Sequence, residues 1–336
     1  MRLDEFDYPL PDDRIAQTPV EPRDSARLLV DRGSAPPEHR RVRDLVDLLG
    51  EGDVLVVNDT RVIPARLRLQ RDTGGAVELV LLDPLDEERR TWECLARPAR
   101  KMQPGEVLYR GGVAVVRVIG RSPAGDTMHV ELVADGDAIS VLQAHGEMPL
   151  PPYITARDAP DERYQTVYAN EPASSAAPTA GLHFTPTLLD ELVTNGVRME
   201  RVELVVGLDT FKPVSVDDPR DHQIHSERYR VPVHVLEVCR DARRTVAVGT
   251  TSVRALESAA ASGALSGRTR LFIHRPFEWK VVDLMMTNFH LPRTTLLLMI
   301  DAFVGPRWRR LYEEALAENY RFLSFGDAML LDRRAS

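Results

Sequence analysis

Histidines and carboxylates set among hydroxyl- and glycine-rich turns are the residues of this chain best suited to chemistry at neutral pH. The segment APTAGLHFT, 177–185, combines small residues, Thr179 and Gly181 with His183. Glycine lets a backbone approach a ligand closely, and an imidazole moves protons near neutral pH, although a lone histidine is more often structural. The segment GTTSVR, 249–254, brings together Gly249, Thr250, Thr251, Ser252 and Arg254. Hydroxyls and amides at a helix N-terminus bind carboxylate or phosphate; the same hydroxyls also serve as plain N-caps. In TNFHLP, 287–292, Asn288 and His290 bracket Phe289, a ring that either stacks on a base or packs inward. Asn58, Asp59, Thr60 and Arg61 follow a short apolar run and read equally as an ordinary turn. HQIHSE, 222–227, offers His222, His225 and Glu227 as nitrogen and oxygen donors. It is not HExxH and no second ligand signature accompanies it, so no metal is expected. Neither a GxxxxGK loop nor a GxGxxG turn occurs, which excludes a Walker A loop and the usual Rossmann fingerprint.

These segments need elements to hold them. Residues 53–57, DVLVV, form a short apolar run after Gly-Asp punctuation and predict a buried strand. Between about 66 and 146 the texture is β-rich: AVELVLLD, TWECLAR, EVLYR, VAVVRVIG and TMHVELV are separated by Gly, Pro and Asp turns. Five or more short strands without a long helix predict a small closed barrel inserted into another domain. Beyond the Pro-rich joint MPLPPY, 148–153, the pattern becomes mixed. Strands are expected at 197–206, 245–249 and 281–286, and helices at 187–195, 252–261, 294–304 and 308–319. Alternation of this kind implies a parallel or mixed sheet. The expected fold is therefore α/β: a mixed-sheet domain over 1–65 and 147–336, split by a β-barrel domain over 66–146. In such sheets ligands lie at the strand ends, where the polar segments fall.

Composition narrows the class. The formal net charge of −8 excludes a general, non-specific grip on nucleic acid but not a local patch. Candidate runs are Arg40, Arg41 and Arg43; Arg97, Arg100 and Lys101; and Arg307, Arg309 and Arg310. Only three of 43 basic residues are lysines, Lys101, Lys212 and Lys280. The two cysteines, Cys94 and Cys239, form no CxxC pair, which argues against a disulfide scaffold or a cysteine zinc site. The start, MRLDEFDYPL, has no apolar core of a signal peptide, and the longest apolar run, 296–300, is too short to span a bilayer. A cytoplasmic protein is expected, with no membrane partner.

Taken in order, the segments resemble one family. FDYPLPDDRIAQTPVEPRDSARLLV at 6–30 is similar to the N-terminal signature of the S-adenosylmethionine:tRNA ribosyltransferase-isomerases. VNDTRVIPARL, MPLPPYI, ERYQTVYANEP, APTAGLHFT, HSE, AVGTTSVRALES, KVVD, TNFHLP and YRFLSFGDAML follow in the family's order, from about Leu3 to Leu331. The resemblance implies an α/β domain with a small inserted barrel, and an enzyme of the queuosine pathway. Such enzymes transfer and isomerise the ribosyl part of S-adenosylmethionine, a co-substrate, onto 7-aminomethyl-7-deazaguanine at the tRNA wobble position. Epoxyqueuosine, adenine and methionine result.

That chemistry needs a base beside the sulfonium, an acid for departing adenine and a neutral attacking amine, tasks for histidine and carboxylate. His183, His225, Glu227 and His290 are the candidates, with Asp59 and Arg61 to orient sugar hydroxyls or the amine. Thr179, Gly181, Gly249, Thr250, Thr251, Ser252, Arg254, Asn288 and Phe289 are expected to bind S-adenosylmethionine. The chain departs from the family pattern at Val205 and Asp209, where His and Gly are usual, at Pro172-Ala173-Ser174, and near Arg275-Pro276-Phe277. The alternatives are a divergent paralogue acting on a free deazapurine or other small acceptor, and a non-catalytic RNA-binding relative.

Overall fold

The computed structural model describes residues 1–123, 125–156, 159–207, 214, 216–222, 224 and 226–335. The chain divides into two compact units: Met1–Thr60 with Pro152–Asn170 and Ala177–Ser336, and Arg61–Pro151 with Glu171–Ala176. The second unit thus begins a few residues before the β-rich texture and takes in a short return segment.

In the first unit, four neighbouring strands run parallel: Arg198–Leu204, Asp53–Asn58, Arg244–Val248 and Leu284–Asn288. Ala328–Asp332 joins the last of these antiparallel, followed by Arg27–Val30 and Glu38–Arg41. At the other edge, Glu227–Arg230 and Ser266–Thr269 complete a nine-stranded mixed sheet. Every residue of Asp53–Asn58 and Leu284–Asn288 is buried, as expected of strands covered on both faces. Leu55, Val57, Val246, Val248 and Met286 pack with Phe184, Leu188 and Leu192 of the helix Pro186–Thr194 and its approach. Pro186 opens that helix where its missing N–H costs nothing. Thr185 caps it, accepting a hydrogen bond from the Leu188 N–H at 3.2 Å.

The long helix, Gly249–Ser262, packs along the central strands and starts three residues earlier than its hydrophobic pattern indicates. Gly249 makes this possible: at φ +81° it turns the chain from strand Arg244–Val248 straight into helix, a backbone conformation costly for other residues. Glu257 fixes the far side of the same helix. Its buried carboxylate accepts hydrogen bonds from the backbone N–H groups of Lys280, Val281 and Val282 at 2.9–3.0 Å. It thereby docks the segment leading into Leu284–Asn288.

The second unit is a closed antiparallel barrel of six strands, in the order Met128–Leu132, Thr91–Arg97, Ala76–Pro84, Arg66–Arg71, Val107–Arg110 and Val113–Arg121. Alternate side chains fill it, among them Leu67, Leu69, Val77, Leu79, Leu81, Trp92, Val116, Val118 and Val130. Cys94 is one of these core residues, and both cysteines are free and buried. Among the described residues no helix is long and apolar enough to cross a membrane.

Replacing Glu257 by Ala removes the acceptor of three backbone donors, that of Val282 buried. It is expected to lower the unfolding free energy by about 3 kcal/mol in urea titrations, whereas Glu257→Gln, which keeps one acceptor oxygen, loses clearly less.

Candidate active site

The carboxyl ends of Arg244–Val248 and Leu284–Asn288 open into a cleft. Its walls come from segments far apart in sequence: Ala177 to Ala180, Gly249 to Thr251, Thr287 to Leu291, and Leu323 with Ser324.

The first turn of the long helix forms one wall. Its leading N–H groups lack intrahelical partners and carry the positive end of the helix dipole. Thr251 is buried, lines the cleft, and its Oγ1 has no hydrogen-bond partner among the described residues. Thr250 lies beside it on the wall. Ser252 does not take part: its hydroxyl donates back to the Val248 carbonyl at 2.7 Å. Arg254 is also committed elsewhere. It is buried in an ion pair with Glu227, while its Nε donates to the Leu271 carbonyl at 3.3 Å. Burial lowers the Arg254 pKa to about 10, which leaves the guanidinium charged at neutral pH. Arg254 and Glu227, expected respectively at a ligand and at the chemistry, therefore bind each other away from the cleft lining.

The opposite wall is a relay of polar side chains. Thr179 Oγ1 donates to Asn288 Oδ1 at 3.2 Å, and Asn288 Nδ2 donates to His183 Nε2 at 3.0 Å. This order fixes the amide orientation of Asn288 and makes His183 Nε2 an acceptor. His183 stands behind Asn288 rather than on the wall. Burial, reinforced by Arg321 and Arg23, lowers its pKa to about 4. His290 does reach the wall, with Nε2 3.1 Å from Thr287 Oγ1, and burial lowers its pKa to about 3. Both imidazoles are neutral at pH 7.

His290 is held from behind by an aromatic floor. Its N–H donates to Tyr312 Oη at 3.0 Å, and its carbonyl accepts from Tyr8 Oη, so the N-terminal FDYPL segment supports the site. Phe289 belongs to this floor: its ring is fully buried, edge-on to Tyr312 and Tyr320 and tilted against Phe322 at 4.7 Å. A ring so enclosed has no face left for a purine. Gly181, too, answers to packing. A Cβ there would sit 2.0 Å from Tyr168 Oη and 2.8 Å from Thr166 Cγ2.

Asn58 ties strand ends together: its Nδ2 donates to the Leu204 carbonyl at 2.9 Å. Asp59 follows it, largely buried, with burial and the nearby Glu203 raising its pKa and Arg201 at 3.9 Å opposing that shift. Arg61 falls in the other compact unit. His225 lies outside the described residues, as does Asp209. Val205, where the family usually carries histidine, is buried and apolar. Among the described residues no group of three or more His, Cys, Asp or Glu could hold a metal ion.

Sequence reasoning passed over Thr287, Tyr153 and Ser324 as cleft residues. Tyr153 Oη and Ser324 Oγ are 2.7 Å apart, and both line the cleft. Their only signal is membership of MPLPPYI and YRFLSFGDAML. Leu323 beside them has φ +70°, a strained conformation for a side chain of that size, anchored by its N–H donating to the Phe289 carbonyl at 3.2 Å.

A mixed α/β sheet carrying a polar cleft at its strand ends, with an appended six-stranded barrel, defines a small-molecule-binding enzyme architecture rather than a general nucleic-acid binder. The chain belongs to the queuosine biosynthesis protein family, which matches residues 3–331. It is 48% identical over 343 residues to the S-adenosylmethionine:tRNA ribosyltransferase-isomerase of Symbiobacterium thermophilum, covering 98% of this chain and 100% of that protein. The enzyme of the same name from Thermus thermophilus is 49% identical over 345 residues, covering 98% and 99%. The crystal structure of S-adenosylmethionine tRNA ribosyltransferase from Thermotoga maritima aligns with 37% identity and a TM-score of 0.55, over 97% of this chain and 99% of that one.

The two buried histidines make stability depend on pH. Their folded pKa values lie below the ordinary 6.5, so the unfolded chain binds more protons as acid is added. Their contribution is complete above about pH 6.5 and is lost as pH falls from there toward 4. Urea unfolding is expected to show stability dropping by about 2 kcal/mol per pH unit near pH 5, with His183→Gln halving that slope. A flat profile from pH 7 to 4.5 would contradict the buried, neutral assignment.

Proposed function

We propose that this chain is a cytoplasmic S-adenosylmethionine:tRNA ribosyltransferase-isomerase. It transfers and isomerises the ribosyl moiety of S-adenosylmethionine onto 7-aminomethyl-7-deazaguanine at the tRNA wobble position, giving epoxyqueuosine and releasing adenine and methionine. The family match over residues 3–331 supports the reaction. Within the site, the observation that carries the reading is the unpartnered, buried Thr251 hydroxyl at the N-terminus of a helix lining the cleft. That position suits the methionine carboxylate: Thr251, Thr250 and the helix amides supply donors and the dipole supplies positive potential.

The remaining steps are proton transfers. The sulfonium acidifies the adjacent ribosyl carbon, and the proton removed there has to be matched by one delivered to departing adenine. His290 is the group we assign to this traffic. It is neutral, lies on the wall and is oriented by Thr287. In the free protein burial keeps the ring neutral, the form that can accept a proton. His183 acts through Asn288, as a positioning residue. Asp59, with its raised pKa, is assigned to keeping the acceptor amine neutral.

Mass spectrometry after mixing the protein, S-adenosylmethionine and tRNA carrying the aminomethyl-deazaguanine base is expected to find free adenine and methionine together with epoxyqueuosine in the tRNA. Neither product, from folded protein that binds S-adenosylmethionine, would sink the reading. Replacing His290 by Gln is expected to lower kcat by about 100-fold or more while leaving S-adenosylmethionine binding within a fewfold of the parent. An unchanged kcat would remove His290 from the mechanism.

A further inference from the structure

We propose that the Tyr153 and Ser324 hydroxyls read the adenine of S-adenosylmethionine, hydrogen-bonding its 6-amino group and the ring nitrogen beside it. The inference rests on the substrate reading above and deepens it, assigning the part of the cleft far from the carboxylate.

Strand order sets the spacing. Val248 pairs in register with Met286 of its parallel neighbour, and Asn288 of that neighbour pairs with Ala328 of the antiparallel strand beyond. The turn preceding Ala328 therefore lies at the same end of the sheet as the helix terminus at Gly249. Two strands separate them, or roughly 10 Å. Carboxylate and adenine are the two ends of S-adenosylmethionine, with the ribose between. A carboxylate held at Thr251 leaves the ribose over Leu284–Asn288, where His290 reaches the wall, and carries the base toward Ser324.

The hydroxyl pair suits the edge of that base. Tyr153 Oη and Ser324 Oγ are 2.7 Å apart, both side chains line the cleft, and Ser324 is buried. Burial pushes the Tyr153 phenol up, so it keeps its proton. With the phenol donating within the pair, the Ser324 hydroxyl retains its own proton and a lone pair for a ligand. Adenine offers the complement, an amino donor next to a ring-nitrogen acceptor. Leu291, Leu296 and Leu323 line the same cleft and supply apolar surface for the faces of a flat ring.

Both hydroxyls are positioned by one short N-terminal stretch, residues 14–17. The Phe322 N–H donates to the Arg14 carbonyl at 2.8 Å, and the Ala16 N–H to the Phe322 carbonyl at 3.2 Å. Gln17 Nε2 donates to the Tyr153 carbonyl at 2.9 Å, while its Oε1 accepts from the Thr155 N–H at 2.9 Å. Asp327 locks the turn that bears Ser324: its carboxylate accepts from the Arg27 and Arg321 N–H groups at 2.9 and 2.8 Å. Gly326 is required there, because a Cβ would lie 2.4 Å from the Arg321 carbonyl oxygen. A turn so over-determined sustains the positive φ of Leu323 and fixes the direction of Ser324. Three segments that stand out in the sequence, at 6–30, in MPLPPYI and in YRFLSFGDAML, thus meet at one pair of hydroxyls.

The test compares kcat/KM for S-adenosylmethionine with that for its analogue bearing hydrogen in place of the 6-amino group. The acceptor is tRNA carrying the aminomethyl-deazaguanine base. The ratio of the two values is expected to fall by about tenfold in Ser324→Ala and in Tyr153→Phe. The intrinsic difference between the departing bases cancels when parent and variant are compared. The ratio for S-adenosylmethionine over its decarboxylated analogue is expected to stay at the parental value in both variants, a readout that a loosened cleft would move. An unchanged amino ratio in either variant, or loss of both ratios together, overturns the assignment. If Thr251→Val leaves the carboxylate ratio unchanged, the helix-terminus reading fails while the amino ratio still decides the base. A folded parent protein that releases no adenine overturns both.

Discussion

The site depends on the abrupt change from strand to helix at Gly249. A parallel strand delivers its last residue to the edge of the sheet, and a glycine at positive φ lets the helix begin at once. No loop intervenes to cover the first turn, so its amides and the Thr251 hydroxyl become part of a cleft wall. Any residue with a Cβ would bring strain at that position, although space for the atom itself exists, since Ala180 Cβ is 3.5 Å away. The constraint is one of backbone conformation rather than of packing. It converts the far end of a central strand into a place where negative charge is welcome.

The opposite wall shows how the same sheet controls protonation. His183 and His290 are removed from water and surrounded by groups that favour the neutral ring, with Asn288 fixing the tautomer of one and Thr287 orienting the other. Behind them, the floor of Tyr8, Phe289, Tyr312, Tyr320 and Phe322 excludes solvent. A positively charged sulfonium substrate would be opposed by histidinium, so neutral imidazoles are the compatible state. The N-terminal segment, remote in sequence, matters because Tyr8 carries the hydrogen bond that holds the His290 carbonyl.

Much of this was legible in the order of residues. Short β-rich stretches separated by Gly, Pro and Asp turns in 66–146 announced the barrel, and the run DVLVV announced a buried strand. The edge strands Glu227–Arg230 and Ser266–Thr269 were not legible, because four residues rich in arginine and glycine carry no apolar signal of their own. At the site, sequence pointed to the right segments but not to which side chain within each faces the cleft. Ser252 bonds back to the Val248 carbonyl, Gly181 makes room for Tyr168, Arg254 and Glu227 neutralise each other, and Phe289 turns into the aromatic floor. The last three outcomes are decided by tertiary neighbours that spacing does not encode.

The central claim is that the N-terminus of Gly249–Ser262 receives the substrate carboxylate. Calorimetric titration with S-adenosylmethionine and with its decarboxylated analogue, on the parent protein and on Thr251→Val, tests it most directly. Loss of the carboxylate is expected to weaken binding to the parent by about tenfold or more, and the gap between the two ligands to shrink in the variant. Equal affinity of the parent for both ligands would contradict the account and place the carboxylate elsewhere.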